Sequence, residues 1–367
     1  MMHQPGDKII RLALDAMGGD KAPEAVIKGA ELSRKRFPHL RFQFFGDTQK
    51  IAPILARYAQ LKALSTIVHT EDVISDDEKP SIAVRKGRNS SLALAIKAVR
   101  DGKAEGIVSA GNTGALMALG KLLLHTLPGI DRPAIGGDMP TTKGYCVMLD
   151  LGGNVSCDAD NLFEFAVMGH AFANAYLGIE NPSIGLLNIG TEETKGHEAV
   201  QTAAAMLRAS DLPLNFKGFV EGNDINTHGT DVVISDGFTG NIALKTVEGT
   251  ATMIVTLLKR HLKASIWGRI GALIARPALK KFAEHFDPEL NNGAIFLGLN
   301  GVVIKSHGGM GERGFAQAIL VAERVISNRV NDKIVDEMVK SGHIPPLEKP
   351  WQAARMEDTP AAGDTPA

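Results

Sequence analysis

The sequence predicts an α/β fold built on a mainly parallel sheet covered by helices. Three observations point there. Short apolar runs recur along the chain, each closed by a turn rich in Gly, Asn, Asp, Ser or Thr, and most turns lead into an amphipathic stretch of helical period. The composition is globular, with 44% hydrophobic and 22% charged residues and only 5% aromatic ones, which implies an aliphatic core. Glycine supplies 39 of 367 residues with no collagen-like period, so its placement carries information.

Taken in order, residues 1–8 read as a flexible polar arm. A strand at 9–14 ends in DAMGGD (15–20), and Pro23 suits the first turn of a helix running to about 36. A strand at 42–45 is followed by a helical stretch to about 64 and a strand at 67–68. The strand at 106–109 feeds AGNTG (110–114) and a helix to about 125. The strand at 145–149 feeds DLGGN (150–154), with a helix over 160–177. The strand at 184–187 feeds NIGTEETKG (188–196) and a helix to about 209; 216–220 feeds EGND (221–224). The strand at 231–234 feeds SDGFTGN (235–241) and a long helix, 302–305 feeds SHGG (306–309), and a last helix covers 315–339. Residues 9–344 are expected to form a single α/β catalytic domain, and 345–367, rich in Pro, Ala and acids, a mobile tail. Right-handed crossovers would set all these turns along the carboxyl edge of one sheet.

Several classes are disfavoured. The net charge of −1 recruits neither nucleic acid nor an anionic membrane to the molecule as a whole. Cys146 and Cys157 exclude a disulfide scaffold and fit a reducing cytoplasm; no signal peptide or spanning apolar run is seen. Neither a Walker nor a dinucleotide glycine motif is in register, and no zinc spacing occurs, so no cofactor and no metal are expected.

The turns carry the chemistry. Glycine lets the backbone approach an anion, and successive N–H groups with a following helix N-terminus then face it. SAGNTG (109–114) and SDGFTGN (235–241) have this form, although one such turn alone reads as helix capping. Lys195 could neutralise a phosphate, or pair with Glu192 or Glu193 on the first turn of a helix. Asn241 could cap a helix or polarise a carbonyl. Cys157 could be a nucleophile with lowered pKa, but reads first as a packing residue. His197, His228 and His307 sit near such turns without a triad partner in view.

One stretch breaks the charge balance: between Glu248 and Glu284 no acid occurs, while Lys259, Arg260, Lys263 and Arg269 interleave with apolar residues including Trp267. Gly268 and Gly271 suggest a bend, making a helical hairpin over about 242–285. Such a hairpin suits an anionic membrane, an acidic protein or a dimer interface.

Together the segments LDAMGGD (14–20), SAGNTGA (109–115), DLGGN (150–154), NIGTEETKG (188–196), VEGN (220–223), DVVISDGFTGN (231–241) and GLNGVVIKSHG (298–308) resemble the phosphate acyltransferases of bacterial phospholipid synthesis. The resemblance runs from about 9 to 340 and departs at the arm, at GMGER (309–313) and beyond Pro345. It implies a three-layer α/β/α, isopropylmalate-dehydrogenase-like fold and a homodimer. It also implies transfer of a long-chain acyl group from acyl carrier protein to inorganic phosphate, giving acyl phosphate for glycerol-3-phosphate acylation. Peripheral membrane association in the cytoplasm, and contact with the membrane glycerol-3-phosphate acyltransferase, are further implications. Lys195 and Asn241 stand at the two positions implicated in activity. The matching turns offer Asp15, Gly18, Gly19, Asp20, Ser109, Gly111, Asn112, Thr113, Gly114, Asn154, Thr191, Asp236, Gly237, Thr239, Gly240 and His307 as substrate-binding residues. Lys259, Arg260, Lys263, Trp267 and Arg269 would form the carrier-protein or membrane surface. The rival readings are an acetyltransferase-like enzyme using acyl-coenzyme A and a non-enzymatic membrane adaptor.

Overall fold

The computed structural model describes residues 9–285 and 287–346. The arm expected at 1–8, and the tail from 347 onward, lie outside the described residues.

β1 (Ile10–Asp15) leads through a glycine turn to α1 (Glu24–Arg36), whose last turn carries three bases that suit its negative end. β2 (Leu40–Gly46) follows. The helical stretch after it is split into α2 (Thr48–Leu55) and α3 (Ala59–Ala63), because tighter i→i+3 bonds from Arg57 to Ile54 and from Tyr58 to Leu55 close the first. After β3 (Ser65–His69) come two helices that the strand–turn rhythm does not reveal, α4 (Pro80–Lys86) and α5 (Ser91–Arg100), the second capped by Ser90. β4 (Gly106–Ser109) feeds α6 (Thr113–Leu124). β5 (Ala134–Thr141) and β6 (Gly144–Leu149) form a hairpin, and α7 (Ala159–Phe172) runs on into a π-helical turn. β7 (Ser183–Leu187), α8 (Glu198–Ala209), β8 (Asn215–Val220), α9 (Gly222–Thr227) and β9 (Val232–Ile234) continue the alternation. α10 (Gly237–Lys263), α11 (Ile266–Ile274) and α12 (Arg276–His285) leave the sheet, and β10 (Ala294–Leu297) and β11 (Val302–Lys305) rejoin it. α13 (Glu312–Ser327) and α14 (Val330–Lys340) replace the single last helix; Arg329, left-handed at φ 54°, separates them.

The described strands form one sheet in the order β3-β2-β1-β4-β11-β10-β5-β6-β9-β7-β8. Here the expectation of a single carboxyl edge needs correction. β3, β2, β1, β4 and β11 are mutually parallel, as are β6, β9, β7 and β8. β10 is antiparallel to both neighbours, and β5 is antiparallel to β6. The two parallel blocks therefore run in opposite directions. In a flush sheet their carboxyl ends would lie at opposite edges. The register prevents this: β5 pairs with β10 over 134–136 and with β6 over 137–141. The blocks are thus staggered along β5. Ile304, opposite Ile295, and Ile295, opposite Gly136, lie one residue below the level where Gly137 meets Met148. The ends of β1, β4 and β11 reach the same level as the ends of β6, β9 and β7, and approach it from the other side.

Both faces are covered, giving the three-layer α/β/α arrangement. Leu12, Leu14, Val108, Val147, Leu149, Ile295 and Ile304 face one core with α1, α7, α8 and α13. Ala13, Ile107, Cys146, Met148, Phe296 and Val303 face the other with α5 and α6. The core is mainly aliphatic, although Phe42, Phe44, Phe165, Phe172, Phe296 and Phe315 are among its largest fully buried side chains.

α10 is a protruding arm. Its 27 residues bury only Gly237 and Gly240, and α11 and α12 bury none. The bend lies at Ala264 and Ser265, where the Ser265 hydroxyl caps the Gly268 N–H, so Gly268 and Gly271 fall inside α11. Trp267 is 78% exposed, with Ile266, Leu273 and Ile274 beside it in sequence also exposed. No helix of the described residues is long and apolar enough to cross a membrane.

Phe315 is 1% exposed where α13 packs on α1. Phe315→Ala should destabilise the fold by about 3–5 kcal/mol, read as a lower midpoint in urea unfolding.

Candidate active site

The turns of the first block close on one another. Asp15 ends β1 with 2% of its surface exposed. Its carboxylate accepts from the hydroxyls of Ser91 and Ser109, both at 2.7 Å, and from the Met17 N–H. Burial raises its pKa, while the two serines and the amides of Met17 and Gly18 pull it partly back. A side chain at Gly18 would start 2.6 Å from both the Asp15 carboxylate and the Gly111 nitrogen, so only glycine lets the 15–20 turn lie against the 109–114 turn. The Asp20 N–H donates to the Gly308 carbonyl at 3.0 Å, which adds the turn after β11. Asn112 caps α6 and donates to the carbonyls of Ser75, Asp76 and Glu78, so its amide is spent on loop structure.

The second block repeats the device. Asp150 is fully buried and accepts from the N–H groups of Ile135, Gly152, Gly153 and Asn154 and from the Asn154 side chain, at 2.7–3.1 Å. Asn154 also donates to Pro133 O, and its carbonyl accepts from Gly237 N–H. Asp236 caps α10 through the Thr239 N–H and hydroxyl. A Cβ at Gly240 would sit 1.9 Å from the Asp150 carbonyl oxygen, so the 150–154 and 235–241 turns touch backbone to backbone. Asn241 follows on the exposed side of that turn, its side chain about one van der Waals contact, 3.5–3.6 Å, from where a Gly152 Cβ would be.

The residues expected to bind substrate thus divide by burial. Asp15, Ser109, Asn112, Asn154 and Asp236 hold the loops. Asp20, Thr113, Thr191, Lys195, Thr239, Asn241 and His307 present exposed surface. Gly18, Gly111, Gly237 and Gly240 are buried, and the N–H groups of Gly111, Gly237 and Gly240 already donate to Ser109 Oγ, Asn154 O and Asp236 O; Gly19 and Gly114 are half-buried. Lys195 lies in the turn before α8 and not in its first helical turn. Among the described residues it makes no ion pair, and Glu193 pairs with Arg208 at 2.9 Å. β7 neighbours β9, so the turns bearing Lys195 and Asn241 leave adjacent strand ends, with no hydrogen bond between the two side chains among the described residues.

Cys157 does not meet the needs of a nucleophile. Burial, with Asp150 and Asp236 nearby, pushes its thiol up to about 12, so it stays protonated at neutral pH. His228 pairs with Asp231 and Thr141 at the opposite strand ends, and His197 precedes α8. His307 is exposed and accepts from Gly309 N–H on Nδ1. The bases Lys259, Arg260, Lys263 and Arg269 begin about 27 Å along α10 from Asn241, at 1.5 Å per residue, and form a separate surface.

One charged group at the joint was not among the expected residues. Lys305 ends β11 opposite Ser109 and donates to the carbonyls of Ala110, at 3.2 Å, and Ser306. Burial lowers it to about 8, against the pull of Asp76, Asp15 and Asp20.

Asp150→Asn must turn an amide donor toward backbone donors; it should cost roughly 1–3 kcal/mol in unfolding free energy and loosen both second-block turns, read by amide exchange at Gly152 to Asn154.

Comparison with known proteins gives the family and supports the fold. The sequence pattern of the family described as "Fatty acid synthesis protein" matches residues 10–333. A protein named phosphate acyltransferase from Rhodospirillum centenum is 54% identical over 353 residues, 96% of this chain and 98% of that one. Its namesake from Paramagnetospirillum magneticum is 53% identical over 328 residues, 89% of this chain and 93% of that one. Among solved structures, a phosphotransacetylase from Streptococcus pyogenes superposes with a TM-score of 0.58 at 18% identity, over 87% of this chain and 95% of that one. The EutD phosphotransacetylase from Staphylococcus aureus gives 0.54 at 16% identity, over 86% and 94%. These two share the fold. With relatives of this identity over nearly their whole length, the chain belongs to the fatty acid synthesis protein family and is a bacterial phosphate acyltransferase.

Proposed function

We propose that this acyltransferase moves a long-chain acyl group from the thioester of acyl carrier protein to inorganic phosphate and releases acyl phosphate for phospholipid synthesis. The observation that supports this most is the joint itself. Two sets of glycine turns, with the N-termini of α6 and α10, converge from opposed strand blocks on one level. Backbone amides and helix ends favour a multiply charged oxyanion. Two faces suit a reaction with two partners, since holding a phosphate oxygen against a thioester carbonyl can supply about 7–11 kcal/mol of the barrier.

In this reading the amides and Lys195 hold phosphate. Asn241, on the exposed side of the 235–241 turn, donates to the oxyanion of the tetrahedral intermediate. The attacking oxygen comes from phosphate, so no acyl-enzyme forms, in keeping with a Cys157 thiol that stays protonated. The acid-free stretch of the arm, 249–283, suits the acidic carrier, which its bases would steer at low salt. Its exposed Trp267, Ile266, Leu273 and Ile274 suit a homodimer contact or peripheral membrane docking in the cytoplasm.

The direct test is incubation with palmitoyl-carrier protein, with and without phosphate, followed by mass spectrometry. Acyl phosphate only with phosphate supports the reading; preference for acetyl- or palmitoyl-coenzyme A, or no thioester cleavage, contradicts it. Lys195→Ala should fold normally and lose about 10²–10³ in kcat/KM. Charge reversal at Lys259, Arg260 and Lys263 should raise KM for the carrier several-fold and leave KM for phosphate unchanged; equal effects on both would remove the arm from carrier docking.

A further inference from the structure

We propose that Lys305 is a catalytic residue of this site: its ammonium, lodged between the turns after β4 and β11 at the joint, carries the proton from the attacking phosphate to the departing thiolate. The inference rests on the phosphate acyltransfer from a carrier thioester set out above.

The geometry supports it. β11 is the strand of the first block nearest the joint. The Lys305 ammonium spans the two turns by donating to Ala110 O and Ser306 O. An ammonium has three donors, so one remains after these two. Both carbonyls belong to the glycine turns that would hold the phosphate. Asp15 on β1, Asp20 on the following turn and Asp76 on the loop before α4 lie close enough to act on it, and His307 follows two residues on in the chain. Burial still lowers it to about 8. That value lies close to the ~8.5 of an alkyl thiol, the match that favours proton transfer in both directions.

The step balances. The hydrogen phosphate dianion attacks through one oxygen, whose lone pair forms the O–C bond while the carbonyl pair moves onto oxygen. When that pair returns, the C–S bond breaks and its electrons go to sulfur. The Lys305 Nζ gives a proton to the sulfur and regains one from the phosphoryl O–H. A thioester and HPO₄²⁻ become an acyl phosphate dianion and a neutral thiol, with charge and protons conserved.

The test compares two palmitoyl thioesters with phosphate as acceptor: palmitoyl-pantetheine, whose thiol needs a proton to leave, and an S-aryl thiopalmitate, whose acidic thiol leaves as the anion. Lys305→Arg keeps the charge and the reach to both carbonyls but cannot give up its proton. It should keep the wild-type melting temperature and phosphate Kd, lose about 10²–10⁴ in kcat on palmitoyl-pantetheine, and recover most of that loss on the aryl thioester. Wild-type rate on pantetheine thioester, or equal loss on both thioesters, overturns the proposal. Should the arginine variant fail to fold, the wild type decides: kcat on palmitoyl-pantetheine should fall above about pH 8, a limb absent with the aryl thioester. The same limb for both overturns the proposal. Wild type that makes no acyl phosphate from palmitoyl-carrier protein, run beside the two thioesters, overturns the underlying reading as well.

Discussion

The structure depends on how β5 divides its hydrogen bonds. Its first three residues pair with β10 and its last five with β6. Without that stagger, two parallel blocks of opposite direction would carry their carboxyl ends to opposite sides of the molecule. With it, the ends of β1, β4 and β11 confront those of β6, β7 and β9. A parallel block concentrates its loops at the carboxyl ends of its strands. Two opposed blocks meeting at those ends double the surface available, and leave a natural place for two reactants.

At each side of the joint a buried carboxylate shapes the turns. Asp15 is held by two serine hydroxyls, Asp150 by four backbone amides and an asparagine. Neither faces solvent. Their work is to fix the glycine turns in place, so that the N-termini of α6 and α10 and the few exposed polar side chains line the joint. Preorganised donors of this kind lose nothing to rearrangement when charge develops. The near-neutral chain therefore needs few cations at the joint and carries its dense basic surface elsewhere, on the arm formed by α10 and α11.

Much of this was legible in the sequence. The strands at 106–109, 145–149 and 231–234 and the turns after them stood out because apolar runs stop at glycine. β5 did not, because Gly136, Gly137 and Pro140 are poor strand formers, and only its pairing on both sides makes it a strand. β10 is four residues long and gave no period. Register is set by long-range pairing, so the stagger was invisible, and a single carboxyl edge was the natural inference. Within the site, the turns were identified but not the division of labour. Asp, Asn and Ser at strand ends serve equally as caps and as ligands, and the side-chain hydrogen bonds that hold Asn112, with the exposure of Asn241, separate the two. Lys305 was missed because a lysine closing the run VVIK reads as a strand emerging into water, whereas β11 is an interior strand.

The central claim is that one oxyanion sits at the joint, between turns contributed by both blocks. Diffraction from crystals soaked in arsenate, an anomalous scatterer with the shape and charge of phosphate, tests this directly. An arsenic peak is expected within hydrogen-bond reach of the 109–114 or 306–309 turns and facing the turns of the second block. A peak confined to the bases of α10 and α11, or none at the joint at saturating arsenate, would contradict it.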